Sequence, residues 1–243
     1  MTYCVAMLLD TGLVFLSDSR TSAGVDHIST FRKTQVFQKA RERVIVIQSA
    51  GNLAITQTVS NLLREAIEEG APGNLMTSPN MFEAARCVGD ALREVHQHDA
   101  SALKDFGVDF NASLLVGGQI QGEVPRLFCI YPAGNFIEAM PDTTYFQIGE
   151  SKYGKPIIDR VLRRTSSLNE AAKCALISMD STMKSNLSVG LPLDLAIVKR
   201  DLFEVARHVS IDENNAYFRA IRSRWGEALR EAFAELPEPD WLN

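Results

Sequence analysis

The chain holds no run of about 18 apolar residues, and no charged-then-apolar leader opens it, so neither a membrane span nor secretion is expected. Basic residues are in deficit: 25 Lys and Arg stand against 30 Asp and Glu, a net charge of −5. A nucleic-acid or anionic-membrane binder would want the basic patch that this balance argues against. Cysteine is scarce and scattered. Cys4, Cys87, Cys129 and Cys174 show none of the CxxC or Cys/His spacings of a zinc site and read as reduced core residues. His27, His96, His98 and His208 form no helical ligand pair, because His96 and His98 are two apart and would point to different sides of a helix. Internal repeats and low-complexity segments are absent too. A cytoplasmic location is therefore expected, and the 243 residues, 46% of them hydrophobic, fit one domain over 1–243 with a sizeable core.

What is present starts with strands. Residues 3–9 and 13–16 are apolar runs around Asp10, Thr11 and Gly12, a hairpin with largely buried strands; residues 34–37 and 44–47 make a second hairpin around the charged turn 39–43. Ser49, Ala50 and Gly51 lead into an amphipathic helix over 52–69. Ser78 and Pro79 read as the N-cap and first turn of another helix running through Val95, with 97–109 as helix end and surface loop. Strands follow at 112–118, 127–131, 136–139 and 145–148. Capping boxes are expected at Ser167 with Glu170 and at Ser210 with Glu213. A last helix over 213–233 carries Phe218, Ile221, Trp225, Leu229 and Phe233 at helical spacing, a stripe expected to pack on the sheet. This element order belongs to the α+β class.

The chemistry gathers at the start. Removal of Met1 before the small Thr2 would leave a hydroxyl nucleophile whose own α-amine is a built-in base, with a reference pKa of about 7.7–8.0. Retention of Met1 would replace that amine by an amide. Downstream, Lys33 could depress the amine pKa and favour the polarised hydroxyl, while Asp18 would keep the lysine charged and oriented. Backbone N–H groups at the Gly51 strand-to-helix junction could stabilise an oxyanion.

Several motifs carry a resemblance over most of the chain, in order: Thr2 opening a strand, DSRTSAG at 18–24, Lys33, VIVIQSAGNLAITQ at 44–57, VGG at 116–118, Ile148 with Gly149, and LDLAIVKRD near the end. Together they resemble the proteasome β-subunit family of N-terminal-nucleophile hydrolases. The opening MTYC, STFRK and SNLSVGLPLDL are most similar to its ancestral bacterial branch, Anbu, also called the bacterial proteasome homologue. The resemblance implies a four-layer αββα sandwich and peptide-bond hydrolysis by Thr2 through an acyl-enzyme, without metal or cofactor. It further implies a homo-oligomer, either a ring or an open helical lock-washer, acting on peptides or unfolded protein. Gly51 falls at the family's oxyanion glycine, and Ser151 and Ser188 at its supporting serines.

Three departures stand out. Ser185, beside Asn186, occupies a position where the family carries an acidic orienter. Gly149, Glu150, Ser151 and Lys152 replace the usual Gly-Ser-Gly-Ser. The step from Asp18 to Lys33 is also one residue short, and a register slip there would flip the lysine to the other face. A catalytically weak or inactive scaffold subunit therefore stays open as an alternative, as does an amidohydrolase acting on a small amide.

Overall fold

The computed structural model describes residues 2–22 and 28–242. Met1, the Ala23–Gly24 end of the DSRTSAG segment and His27 lie outside the described residues. The chain runs β1 (Tyr3–Leu9), β2 (Gly12–Asp18), β3 (Arg20–Ser22), β4 (Ile28–Thr30), β5 (Thr34–Lys39), β6 (Arg43–Gly51), α1 (Leu53–Glu68) and α2 (Met81–Asp105). It continues with β7 (Ala112–Ile120), β8 (Arg126–Ile130), β9 (Phe136–Glu138), β10 (Tyr145–Gly149), α3 (Lys155–Val161), α4 (Leu168–Ser185), β11 (Leu193–Lys199), β12 (Val205–Ile211) and α5 (Ala216–Ala234).

Two antiparallel five-stranded sheets result, ordered β10-β1-β2-β11-β12 and β5-β6-β7-β8-β9. Strand alternation builds the layers. Tyr3, Val5, Met7 and Leu9 of β1 pack against α3, α4 and the start of α5, whereas Cys4, Ala6 and Leu8 pack between the sheets. In β6, Ile45 and Ile47 face α1 and α2, while Val44 and Val46 meet the other sheet. Strands buried on both faces need continuous apolar runs, which is why β1 reads YCVAMLL. The expected αββα sandwich is the architecture found. No helix among the described residues is long and apolar enough to cross a membrane.

Several local expectations are corrected. Asn80, not Ser78, caps α2, its Oδ1 accepting from Glu83 N–H at 2.9 Å. Ser78 is unavailable because it is buried in the preceding turn, donating to the Asn74 carbonyl at 2.8 Å. The helix also runs on to Asp105, through most of the expected loop. Ser167 and Glu170 do form their capping box. Ser210 cannot, because it is paired with Asp194 inside β12, and Asn215 caps α5 instead. The α5 stripe is buried only at its beginning. Phe218 sits in the core and Ile221 packs against it, but α5 then leaves the layer, and Phe233 is 77% exposed.

Candidate active site

Asp18 closes β2 opposite Leu193 of β11, with its carboxylate fully buried. One oxygen, Oδ1, accepts the Tyr3 N–H at 3.0 Å and the Lys33 Nζ at 2.6 Å. Lys33 Nζ also donates to the Arg20 carbonyl at 2.8 Å. A single carboxylate thus ties the backbone just after Thr2 to the lysine. Burial pushes the Asp18 carboxyl above its ordinary range, and the Lys33 ammonium and the Tyr3 N–H pull it part of the way back. The short spacing does not turn the lysine away: Ser49 N–H donates to the Lys33 carbonyl at 3.1 Å, in register with the Thr34–Gln48 pair.

Thr2 is half-buried and is fixed through its backbone. Its carbonyl accepts the Glu150 N–H at 2.7 Å. Gly149, opposite Tyr3 in the β1–β10 ladder, has φ +79°, and a Cβ there would stand 2.0 Å from the Thr2 carbonyl oxygen. Only glycine lets the strand end that close to Thr2.

Gly51 ends β6 with φ +114°, where a Cβ would meet the Asn111 carbonyl at 2.2 Å. Ser49 N–H points to β5 and Asn52 N–H donates to Asn111 at 2.7 Å on the other side. Strand alternation then turns the Gly51 N–H toward the side that β5 has vacated. There a cleft of about 370 Å³ opens, lined by Thr2, Lys33, Gly51, Arg20, Phe31 and Leu53 among others.

The structure therefore brings Thr2, Lys33 and Gly51 to one cleft, with Asp18 buried under the lysine. Ser151 and Ser188 are not among the residues lining it. Ser151 is exposed after β10, and Ser188 lies in the loop after α4 with its N–H on Asn186 Oδ1 at 3.0 Å. Ser185 is exposed. Asn186 turns its Nδ2 to Glu150 Oε2 at 3.1 Å, so the loop after β10 and the loop after α4 are joined to each other.

Sequence reasoning missed Tyr3. Its hydroxyl pairs with Ser178 Oγ at 2.5 Å and accepts from Gln147 Nε2 at 2.6 Å, and burial pushes its pKa up. No local signal marks a partner that far along the chain. Cys4, two residues from Thr2, is no rival nucleophile, because burial pushes its thiol far up. Among the described residues, no group of three or more His, Cys, Asp or Glu could hold a metal ion.

The model of a family described as proteasome subunit matches residues 2–198. The chain belongs to the proteasome subunit family. It is 56% identical to Anbu, the ancestral beta-subunit, from Yersinia bercovieri, over 98% of this chain and 99% of that one, with a TM-score of 0.93. It is 48% identical to the subunit in a helical assembly of the Anbu complex from Pseudomonas aeruginosa, over 99% of both chains, again with a TM-score of 0.93. A proteasome subunit beta from Haloquadratum walsbyi is 23% identical over 87% of this chain and 79% of its own length. Membership of this family, whose members are proteasome-like N-terminal-nucleophile hydrolases, accounts for the sandwich.

Proposed function

We propose that this proteasome-family subunit is a cytoplasmic threonine peptidase, with Thr2 as nucleophile once Met1 is removed. The observation that carries it is Lys33: nearly buried, it is held by Asp18 at 2.6 Å and the Arg20 carbonyl at 2.8 Å, in the cleft that Thr2 lines. A buried lysine placed only for structure would be a costly choice at that spot.

The proposed cycle balances with the residues present. The Thr2 α-amine takes the hydroxyl proton as Oγ1 bonds to the peptide carbonyl carbon, whose oxygen becomes an oxyanion facing the Gly51 N–H. Collapse breaks the C–N bond, the leaving amine receives the proton, and an ester to Thr2 remains. Water then attacks with the same amine as base, releasing a carboxylic acid and restoring the hydroxyl. Lys33 raises the local positive potential and favours the neutral amine. Ser151 and Ser188 are proposed to support through their loops.

The open cleft favours an extended peptide over a small enclosed amide. Homo-oligomerisation as an open helical arrangement is supported by the likeness to the Pseudomonas aeruginosa assembly. A second reading, a scaffold with little activity, is favoured by one feature: Ser151 and Ser188, the expected supporting serines, are not among the residues lining the Thr2 cleft.

The deciding experiment is the intact mass of natively purified protein, before and after an electrophile selective for N-terminal threonine. Loss of Met1 with one adduct on Thr2 is expected, and Thr2→Ala abolishes both adduct and peptide hydrolysis. Retained Met1 with no adduct would establish the scaffold.

A further inference from the structure

The charges around the Thr2 cleft are of one sign. Arg20 and Lys33 are the charged residues lining it. A second groove of about 550 Å³ shares Phe31 with the cleft, and its charged lining is Arg32 and Arg64, joined by His208. No Asp or Glu lines either space among the described residues, in a chain whose net charge is −5.

Neutralisation inside the protein separates these cations. Lys33 is committed to Asp18, and His208 to Asp194 at 2.6 Å. The three arginines are different: among the described residues none has a carboxylate within salt-bridge distance. Arg20 donates from Nη1 to the neutral Leu187 carbonyl at 2.9 Å, and its guanidinium lies over Gly190, where a Cβ would come within 2.5 Å of Cζ. Arg64 donates to the neutral Gln35 Oε1 at 3.1 Å. Each keeps free N–H donors, because a guanidinium carries five. The Arg20 carbonyl holds Lys33, so the Arg20 side chain departs one residue's breadth from the nucleophile's lysine.

Resting on the reading of Thr2 as a nucleophile, we propose that the site selects acidic peptides. Arg20 receives a carboxylate side chain near the attacked carbonyl, and Arg32 and Arg64 attract further acidic residues beyond Phe31. An extended strand advances about 3.3 Å per residue, so both spaces together hold several residues of one peptide. A guanidinium fork matches a carboxylate bidentately and repels lysine, which provides the discriminating element as well as the attracting one.

The test uses the full chain with peptide electrophiles identical except for Glu, Gln or Lys next to the reactive group, reading the rate of adduct formation at Thr2. Glu is expected to exceed Gln by about tenfold, as for a hydrogen bond to a charged group, and Lys to be slowest. Raising salt from about 0.05 to about 0.5 M should compress the order, since the arginines are partly exposed. Arg20→Glu should invert the ratio of Glu to Lys, and Arg20→Gln should flatten it if the reversal does not fold. Equal rates for Glu and Lys, with the adduct on Thr2, overturn the acidic selection and leave the nucleophile standing. Absence of any adduct overturns the nucleophile instead. In that case fluorescence anisotropy decides the cleft charge: a labelled Glu-rich peptide should bind more tightly than its Lys-rich counterpart and lose affinity in Arg64→Glu, and equal binding overturns the proposal.

Discussion

Gly149→Ala is the substitution from which the geometry predicts most. The added methyl would start 2.0 Å from the Thr2 carbonyl oxygen, and Cβ contacts under 3.0 Å essentially do not occur. Something must therefore move by roughly 1 Å, and the neighbours are the Thr2 backbone and the β1 pairing partner of Gly149. A displacement of that size at a reacting group costs about a hundredfold in rate. The left-handed backbone adds about 1–2 kcal/mol of destabilisation for alanine. Gly70→Ala isolates the two effects, since Gly70 has φ +66° but nothing within 4 Å of an added Cβ. Both variants should lose similar stability from backbone strain in a denaturant titration, with some further loss from the clash in Gly149→Ala. Only Gly149→Ala should lose the roughly hundredfold in electrophile capture at Thr2. A native capture rate in folded Gly149→Ala would refute the claim that this glycine sets the position of Thr2.

Other perturbations probe the remaining contacts. Lys33→Met removes the main influence holding the Asp18 carboxyl down, so its pKa climbs further above the unfolded value. The native state then binds more protons than the unfolded state, and stability should be highest in acid and fall as pH rises through the raised pKa, with about 3–5 kcal/mol lost once the buried carboxylate ionises alone. The double variant with Asp18→Asn should show no such slope, which unfolding at several pH values would check. Tyr3→Phe leaves Ser178 Oγ and Gln147 Nε2 short of a partner and should cost about 1–3 kcal/mol by chemical denaturation; a neutral result would mean the network carries no stability. Phe233→Glu together with Trp241→Ala, both at strongly exposed positions of the C-terminal segment, should lower the assembly mass in sedimentation without changing the subunit's circular dichroism; an unchanged mass would separate this surface from assembly.

Much of the fold was legible because its strands are buried twice over. β1 and β6 present apolar residues to helices on one side and to the opposite sheet on the other, and such runs declare themselves in sequence. Motif and chemistry single out Thr2, Asp18, Lys33 and Gly51, and the structure brings Thr2, Lys33 and Gly51 to one cleft with Asp18 on the lysine. The α5 stripe was misread for a physical reason: periodicity reports that one face is apolar and says nothing of what covers it, and from Leu229 onward no element among the described residues does. The α2 cap was misplaced by two residues because Ser78 and Asn80 are both good caps, and only the turn that consumes the Ser78 hydroxyl decides between them. Tyr3 with Ser178, and Glu150 with Asn186, could not be read at all, since such contacts exist only after the sheets have stacked.

The Glu150–Asn186 contact also changes the meaning of the missing acid near Ser185. At position 186, beside it, an acidic residue would have to face a buried carboxylate already present: Glu150 is 7% exposed, with Oε2 on Asn186 Nδ2 and Oε1 accepting the Lys152 N–H. Two carboxylates sharing that space would repel and drive one of them to protonate. The asparagine resolves the conflict by donating where an aspartate could only accept. Negative charge is thus kept at this end of the site but sits on the loop whose N–H holds the Thr2 carbonyl, rather than on the loop after α4. Orientation of Thr2 then depends on backbone contacts from β10 and on Asp18, which is why the absence of an acid at Ser185 does not by itself argue for an idle site.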